Sequence, residues 1–391
     1  MKRLKEDRGE GLGELKPVFI GHSVEEPINS PIGQPTGQLT GQSHSIEKEW
    51  ITNRVLVGVS GGIDSAVTAY LLKKAGYEVV GIYLKMAKEV DHSSNLKQIE
   101  QIAQQIGFDF IVEDVTEQFR QEVYSYFIES YRNGMTPNPC AMCNIKIKFG
   151  LFEKFIKKYQ AQFGATGHYV RNDGKFLYEG VDKQKDQSYF LFGISKELLP
   201  RLLFPLGELN KREVKKIGRQ IGIAEMVGKK ESQDICFIKT TYLDLLRLHF
   251  NPDRKGGVYN RKGNKIGIHN GYAHYTIGQR RGFKLFKSHQ PHYVVEIDSN
   301  RNRLIVGERR ELVRRQIYLK GINLFIEKRE FWGEVKVRYR APKVKGFVKM
   351  EGRRKGVVFL KEGAMAVAKG QVAVFYEGEK LLGGGWIRGS R

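Results

Sequence analysis

The chain of 391 residues carries 66 Lys and Arg against 43 Asp and Glu, a formal charge of +23, with 40% apolar and 28% charged residues. Its length argues for two or three domains and its composition excludes general disorder. The positive surplus points to a polyanionic partner, nucleic acid first, with a merely soluble or heat-resistant Lys-rich protein as the competing reading. Three cysteines exclude a disulfide scaffold; with neither a signal-peptide core nor 18 consecutive apolar residues, a cytoplasmic protein without a membrane span is expected.

Residues 25–45 are rich in Pro, Gly, Gln, Ser and Thr, with Gly-Gln recurring at Gly33, Gly37 and Gly41, and hold little apolar surface to offset the entropy of ordering. Residues 1–50 are therefore expected to be a flexible extension. Up to Glu49 there are 6 Lys and Arg against 8 Asp and Glu, so the positive surplus belongs to the rest of the chain. From Ile51 short apolar runs alternate with helical periods: a strand at 54–59, a helix at 65–75 and a strand at 77–84. A helix face of Leu96, Ile99, Ile102, Ala103 and Ile106 and a strand at 108–112 complete βαβαβ. That alternation predicts an α/β unit, a parallel sheet with helices on both faces and ligands beyond the carboxyl ends of the strands. A long helical segment at about 116–132 leads into the loop GMTPNPCAMCN, a further helix follows, and FGATGHYV is another strand candidate. The nucleotide-type unit is expected over 51–240, a small middle domain over 241–309 and a C-terminal β barrel over 310–391. Beyond Thr240 the short runs YVVEID, RLIVGE, GEVKVRYR, KGVVFL and GQVAVFY are separated by Gly and charged residues. Residues 310–391 hold 20 Lys and Arg against 8 Asp and Glu, which makes the barrel a candidate RNA platform; alternating basic residues also serve simply to solvate an outer face.

Between the first strand and its helix stands Ser60-Gly61-Gly62-Ile63-Asp64-Ser65. Its glycines permit positive φ and close backbone approach, and successive N–H groups at a helix start form an anion cradle. Ser60 and Ser65 can add hydroxyl donors, and Asp64 can hold Mg²⁺ near phosphates. No GxxxxGK[ST] occurs, which argues against γ-phosphoryl transfer of the P-loop kind. An ordinary glycine turn or helix cap is the bland alternative. In its strand-turn-helix context the segment resembles the pyrophosphatase loop of enzymes that cleave ATP to AMP and pyrophosphate while adenylating an oxygen. Amide-forming synthetases, tRNA lysidine synthetases and sulfur transferases all use that activation.

Cys140 and Cys143 form a CxxC pair, and Cys236 lies in SQDICFI. Cys236, between Ile235 and Phe237, can be a buried apolar residue, and CxxC can belong to a zinc site. Zinc needs further ligands, and neither a second CxxC nor a close HxxxH is present.

TPNPCAMCN followed by IKIKF, ATGHYV, KDQSYFLFG, FPLGELNKREV, SQDICFI and YTIGQRRG occurs in the order seen in the tRNA-specific 2-thiouridylases. With SGGIDS, the chain resembles that family from about Arg54 to at least Gly282, with weaker traces such as VRYR in the barrel. The resemblance implies ATP-dependent 2-thiolation of the wobble uridine, position 34, in tRNAs of the Lys, Glu and Gln type. Carried over, Gly58, Val59, Ser60, Gly61, Gly62, Ile63, Asp64 and Ser65, with Leu84 and Gly167, hold ATP. Asn138, Pro139 and Cys140 approach the target base, Cys143 is the nucleophile, and Cys236 carries persulfide sulfur. Lys185, Asp186, Gln187, Arg338 and Tyr339 contact tRNA. His168 is assigned no role. The implied scheme adenylates O2 of uracil, transfers sulfur, releases AMP and pyrophosphate, and ends in a Cys143–Cys236 disulfide that a reductant reopens. Both cysteines then act as thiolates, a form that basic surroundings favour. Familiar members carry Asp at the position of Cys140. Three thiols can instead ligate three irons of a [4Fe-4S] cluster whose fourth iron binds hydrosulfide, and the presence of a cysteine that the relay does not use tilts the reading towards that cluster. The sulfur source is a persulfide-relay protein or a sulfide donor accordingly. Another adenylating tRNA modifier of the lysidine synthetase type, or a non-catalytic tRNA-binding protein with a relic loop, are the alternatives.

Overall fold

The structure, a computed structural model, describes residues 53–227, 235–287 and 290–391; the expected extension at 1–50 lies outside them. The first unit opens with β1 (Arg54–Gly58), whose Val55, Leu56 and Val57 are all fully buried. A run without alternation is what a strand covered on both faces requires. Next come α1 (Ile63–Lys74), β2 (Glu78–Lys85), α2 (His92–Ile106) and β3 (Asp109–Asp114). The long helix expected at 116–132 is interrupted: α3 (Thr116–Phe119) and α4 (Ser125–Arg132) flank a π turn at Arg120–Tyr124. The wider turn keeps Phe119, Val123 and Phe127 on one buried face despite the chain's drift around the helix axis.

Then follow α5 (Pro139–Cys143), α6 (Phe152–Lys158), β4 (Phe163–Thr166), β5 (Val170–Asn172), β6 (Leu177–Glu179), β7 (Leu202–Leu203) and α7 (Lys211–Gln220). The main sheet has the order β3-β2-β1-β4-β7, parallel throughout. Strand order reverses between β1 and β4, and the crevice beyond their carboxyl ends is where such sheets bind ligands.

The middle strands form their own five-stranded sheet: β8 (Gly256–Tyr259), β9 (Lys265–His269), β10 (Lys284–Leu285), β11 (Tyr293–Asp298) and β12 (Arg303–Gly307), in the order β10-β9-β8-β12-β11. The remaining six are β13 (Val313–Leu324), β14 (Glu330–Lys336), β15 (Val344–Met350), β16 (Lys355–Met365), β17 (Val372–Glu377) and β18 (Lys380–Ser390). They run β13-β16-β15-β14-β17-β18, and pairing of β13 with β18 closes them into a barrel. Ile317, Leu319, Phe331, Val335, Val348, Val358 and Leu360 fill it.

The barrel is not a loose appendage. Lys380 on β18 pairs with Tyr178 on β6, extending the barrel sheet into the first unit. Across the seam Asn323 Nδ2 donates to the Phe192 and Ile194 carbonyls at 2.9 and 3.0 Å, and Tyr189 Oη to the Val372 carbonyl at 3.1 Å. The fully buried Tyr376 shares one core with Tyr189, Phe192 and Leu381.

Candidate active site

The loop after β1 lies at the reversal point. Gly61 has φ +80°, which bends the backbone as an L side chain rarely allows, and Gly62 caps α1 without a side chain over the helix start. Ser65 is turned inward: its Oγ donates to the Gly62 carbonyl at 2.9 Å and accepts from the Ser60 N–H at 3.2 Å. It braces the loop, while Ser60 reaches solvent. Val59 and Ile63 are buried, so they offer backbone only. Gly167, just beyond β4, packs against this loop so closely that a Cβ there would stand 2.9 Å from the Asp64 carbonyl carbon and 3.0 Å from the Ser65 nitrogen. Leu84, half-buried at the end of β2, joins the hydrophobic core beneath.

Asp64 is engaged differently from the expected metal ligand. Both its carboxylate oxygens receive Lys211 Nζ, at 2.7 and 2.9 Å, and Tyr169 Oη donates to Oδ1 at 2.8 Å. Lys211 is buried at the first position of α7, whose Asn210–Glu213 capping box fixes the helix start; its backbone N–H donates to Asp182 at 3.0 Å. An Asp64 so held does not fit Mg²⁺ without first releasing the ammonium. The loop that lacks a Walker lysine has one beside it, supplied from about 150 residues away in sequence. Sequence reading quoted FPLGELNKREV but missed Lys211, although an Asn-x-x-Glu box before a helix signals a defined start for that lysine.

The CxxC pair sits on a short helix clamped by three parts of the molecule. Asn138 Oδ1 accepts from the Ala141 N–H at 3.1 Å, and Pro139 occupies the first turn of α5. Upstream, the Thr136 N–H donates to the Lys369 carbonyl at 2.9 Å, Gln371 Nε2 to the Thr136 and Pro137 carbonyls at 3.1 and 3.0 Å, and the Thr136 and Thr276 hydroxyls meet at 2.6 Å. Asn138 and Pro139 are buried and Cys140 is exposed, so of the three expected base contacts Cys140 alone reaches solvent. Cys143 is buried, with Sγ 3.8 Å from Met86 Sδ just past β2. Cys236 is not the buried apolar residue its neighbours suggested. It is exposed, while Phe237 beside it is locked among Phe119, Tyr124 and Phe127 with ring centroids at 5.4–5.9 Å.

The three thiols converge: each feels the charge of Lys148, Cys140 and Cys143 both feel Cys236, and Cys143 also feels Cys140. All three are free. Their acidity contradicts the expectation of ready thiolates. Burial pushes Cys143 up to about 12, and surrounding protein mass also raises Cys140 and Cys236, with Lys148 only partly opposing it. One cation at the rim does not outweigh loss of water around sulfur. Among the described residues no three His, Cys, Asp or Glu side chains group to hold a metal ion. His168 follows Gly167, bonds the Thr166 hydroxyl at 2.8 Å, packs its ring on Phe149, and is kept neutral by burial, with Lys148, the cation that the thiols feel, acting in the same direction.

The expected tRNA contacts are partly spent on structure. Asp186 is buried, accepting from the Gly180 and Ser188 N–H groups and the Ser188 hydroxyl, and burial raises its pKa from the ordinary value, with those hydrogen bonds partly opposing the rise. Gln187 Oε1 receives the Tyr169 N–H at 3.0 Å, and Lys185 is half-buried. Arg338 Nη2 donates to the Ile277 carbonyl at 2.8 Å, and the Tyr339 ring lies 4.6 Å from that of Phe190. These two tie the barrel to its neighbours.

Three family models match in chain order: a tRNA methyl transferase HUP domain over residues 53–240, a tRNA methyl transferase PRC-barrel domain over 244–308 and an aminomethyltransferase beta-barrel domain over 314–387. The tRNA-specific 2-thiouridylase MnmA of a Nitratiruptor species is 47% identical over 339 residues, 86% of this chain and 100% of that protein. The protein of the same name from Sulfurimonas denitrificans is 45% identical over 339 residues, 86% of this chain and 99% of that one. Among solved structures, the U34-tRNA thiolase NcsA from Methanococcus maripaludis matches at a TM-score of 0.33 and 18% identity, over 50% of this chain and 64% of that one, too distant to carry an argument. Among the described residues no helix is long and apolar enough to cross a membrane.

Proposed function

The chain belongs to the tRNA-specific 2-thiouridylase family, and from that premise we propose that it replaces O2 of the wobble uridine in tRNAs of the Lys, Glu and Gln type with sulfur, consuming ATP. The observation that carries this reading is that the glycine loop and the three thiols are linked through shared neighbours: Lys148 acts electrostatically on all three thiols and on His168, and Gly167 beside His168 packs on the loop at the sheet's reversal point. Activation and sulfur delivery require those two groups side by side.

Gly61, Gly62 and the start of α1 receive the phosphates of ATP, and Lys211 moves from Asp64 to neutralise the pyrophosphate that leaves. Uracil O2 bonds to the α-phosphorus as the bond to pyrophosphate breaks, which makes C2 electrophilic. The terminal sulfur of a persulfide on Cys236 attacks C2, and AMP departs with the former O2. Cys143 then attacks Cys236 Sγ, the sulfur–sulfur bond breaks, and 2-thiouridine is released with a Cys143–Cys236 disulfide. A cellular dithiol reduces that disulfide, its own sulfurs being oxidised. The exposed Cys236 is accessible to a persulfide donor, whereas buried Cys143 is kept from competing for it. Cys143 must lose its proton during the cycle, and Lys148 is the cation placed to favour that loss.

In this relay Cys140 has no covalent duty. Cys140→Asp is expected to retain thiolation from a persulfide donor in iron-free protein. Joint loss of bound iron and activity in that variant would instead establish the cluster route. A lysidine-type reaction predicts that Cys143→Ala and Cys236→Ala remain active.

A further inference from the structure

We infer that the outer face of β14, β15 and β16 is a stacking platform for unpaired bases of RNA. Trp332, Phe347 and Phe359 stand directly opposite one another across these three strands, Trp332 against Phe347 and Phe347 against Phe359. Trp332 is 56% exposed and Phe359 38%, although their strand neighbours Phe331, Val348, Val358 and Leu360 fill the barrel interior. The Trp332 and Phe347 rings lie 5.5 Å apart, and Lys345 Nζ stands 5.9 Å from the Trp332 ring centre. Exposed Lys345, Lys349, Lys355 and Lys361 outnumber the two acids on this face, Glu330 and Glu334, which flank Trp332; Glu330 pairs with Lys349 at 3.0 Å. Opposite positions on one sheet face are about 4.5–5.5 Å apart, a spacing on which successive bases can lie.

Charge complementarity selects the occupant. A protein partner with an apolar surface would not call for a field in which residues 310–391 hold 20 Lys and Arg against 8 Asp and Glu, whereas a polyanion with exposed π faces uses both features. The platform is not needed to hold the barrel on: the seam belongs to other residues, including Tyr376, Val372 and Asn323. The inference rests on the reading of the chain as an enzyme acting on RNA, and it adds a contact that recognises single-stranded or looped segments, separate from the thiol site.

The test uses the full chain, without ATP or sulfur donor, and two probes of equal length: a single-stranded RNA and a blunt RNA duplex. The single strand is expected to bind more tightly and to quench tryptophan fluorescence. Trp332→Ala and Phe359→Ala should each weaken it by about tenfold with the salt slope unchanged. Trp332→Phe should keep affinity and lose the quenching, a signature that a structural role would not give. Unchanged single-strand affinity in both alanine variants, equal affinity for the duplex, or dissociation of a self-associated form by Trp332→Ala would overturn the assignment, the last giving the face to a second copy. Absence of thiolation by the wild-type chain, with these binding results intact, would sink the enzymatic reading and leave the platform standing.

Discussion

Lys211 holds both oxygens of Asp64 in a site where the backbone otherwise supplies the positive character. Lys211→Met is expected to slow pyrophosphate release by about 10²–10³-fold, the usual effect of removing one donor aimed at developing charge, while tRNA affinity is unchanged. Binding of inorganic pyrophosphate, read by calorimetry, should weaken in parallel. Unaltered pyrophosphate binding would reduce Lys211 to a structural partner of Asp64. At Cys143 the sign of the pH effect follows from burial: a thiol raised to about 12 stays neutral through the physiological range, and its reactivity appears only as pH climbs towards that value. Alkylation followed by peptide mass spectrometry should label Cys140 and Cys236 first, with the Cys143 rate still rising at pH 10. Early labelling of Cys143 would show that its site opens readily. Sequence identified these thiols as a set, because no other cysteine exists; it misjudged their acidity, because desolvation depends on what folds over a residue and not on nearby lysines in the chain.

Among the elements, α5 does most to place the thiols; sequence reading places a loop at GMTPNPCAMCN, although Asn before Pro is a helix-start signal, and Pro139–Cys143 is a short helix capped by Asn138. Asn138→Ala is expected to lower stability by about 1 kcal/mol by orphaning the Ala141 N–H, and to impair sulfur transfer more than pyrophosphate release. Thermal unfolding and the two product assays separate these effects. The clamp on the preceding residues was not legible, since Gln371 and Thr276 lie more than 130 residues away and carry no local pattern. The π turn inside 116–132 also escaped periodicity, which cannot register one inserted residue in an otherwise continuous apolar face.

For the molecule as a whole, the barrel has two separable tasks. Its seam holds the residues before the cysteine pair through Gln371, while Arg338 bonds the Ile277 carbonyl and Tyr376 the Ser188 hydroxyl, so deleting the barrel is expected to disturb the active site along with RNA binding. Its charge is tested without that damage by Lys349→Gln with Lys361→Gln: each lost phosphate contact should reduce the slope of log affinity against log salt by a little under one unit, roughly 0.7–0.9. An unchanged slope would make these lysines solvating residues. The succession of parallel sheet, small sheet and closed barrel was readable from strand spacing and glycine punctuation, whereas the burial of Arg338 and Tyr339 between units was not, because VRYR looks like any basic edge strand.

The central claim is that ATP cleavage and thiol chemistry are joined in one sulfur transfer. Unmodified tRNA, ATP and a persulfide donor should be incubated with the wild-type chain, Cys143→Ala and Cys236→Ala, and nucleosides and adenylates quantified by mass spectrometry. The wild type is expected to form 2-thiouridine at the wobble position and AMP in equal amounts, and both variants to form no 2-thiouridine. Undiminished 2-thiouridine in either variant, or ADP in place of AMP, would contradict the account.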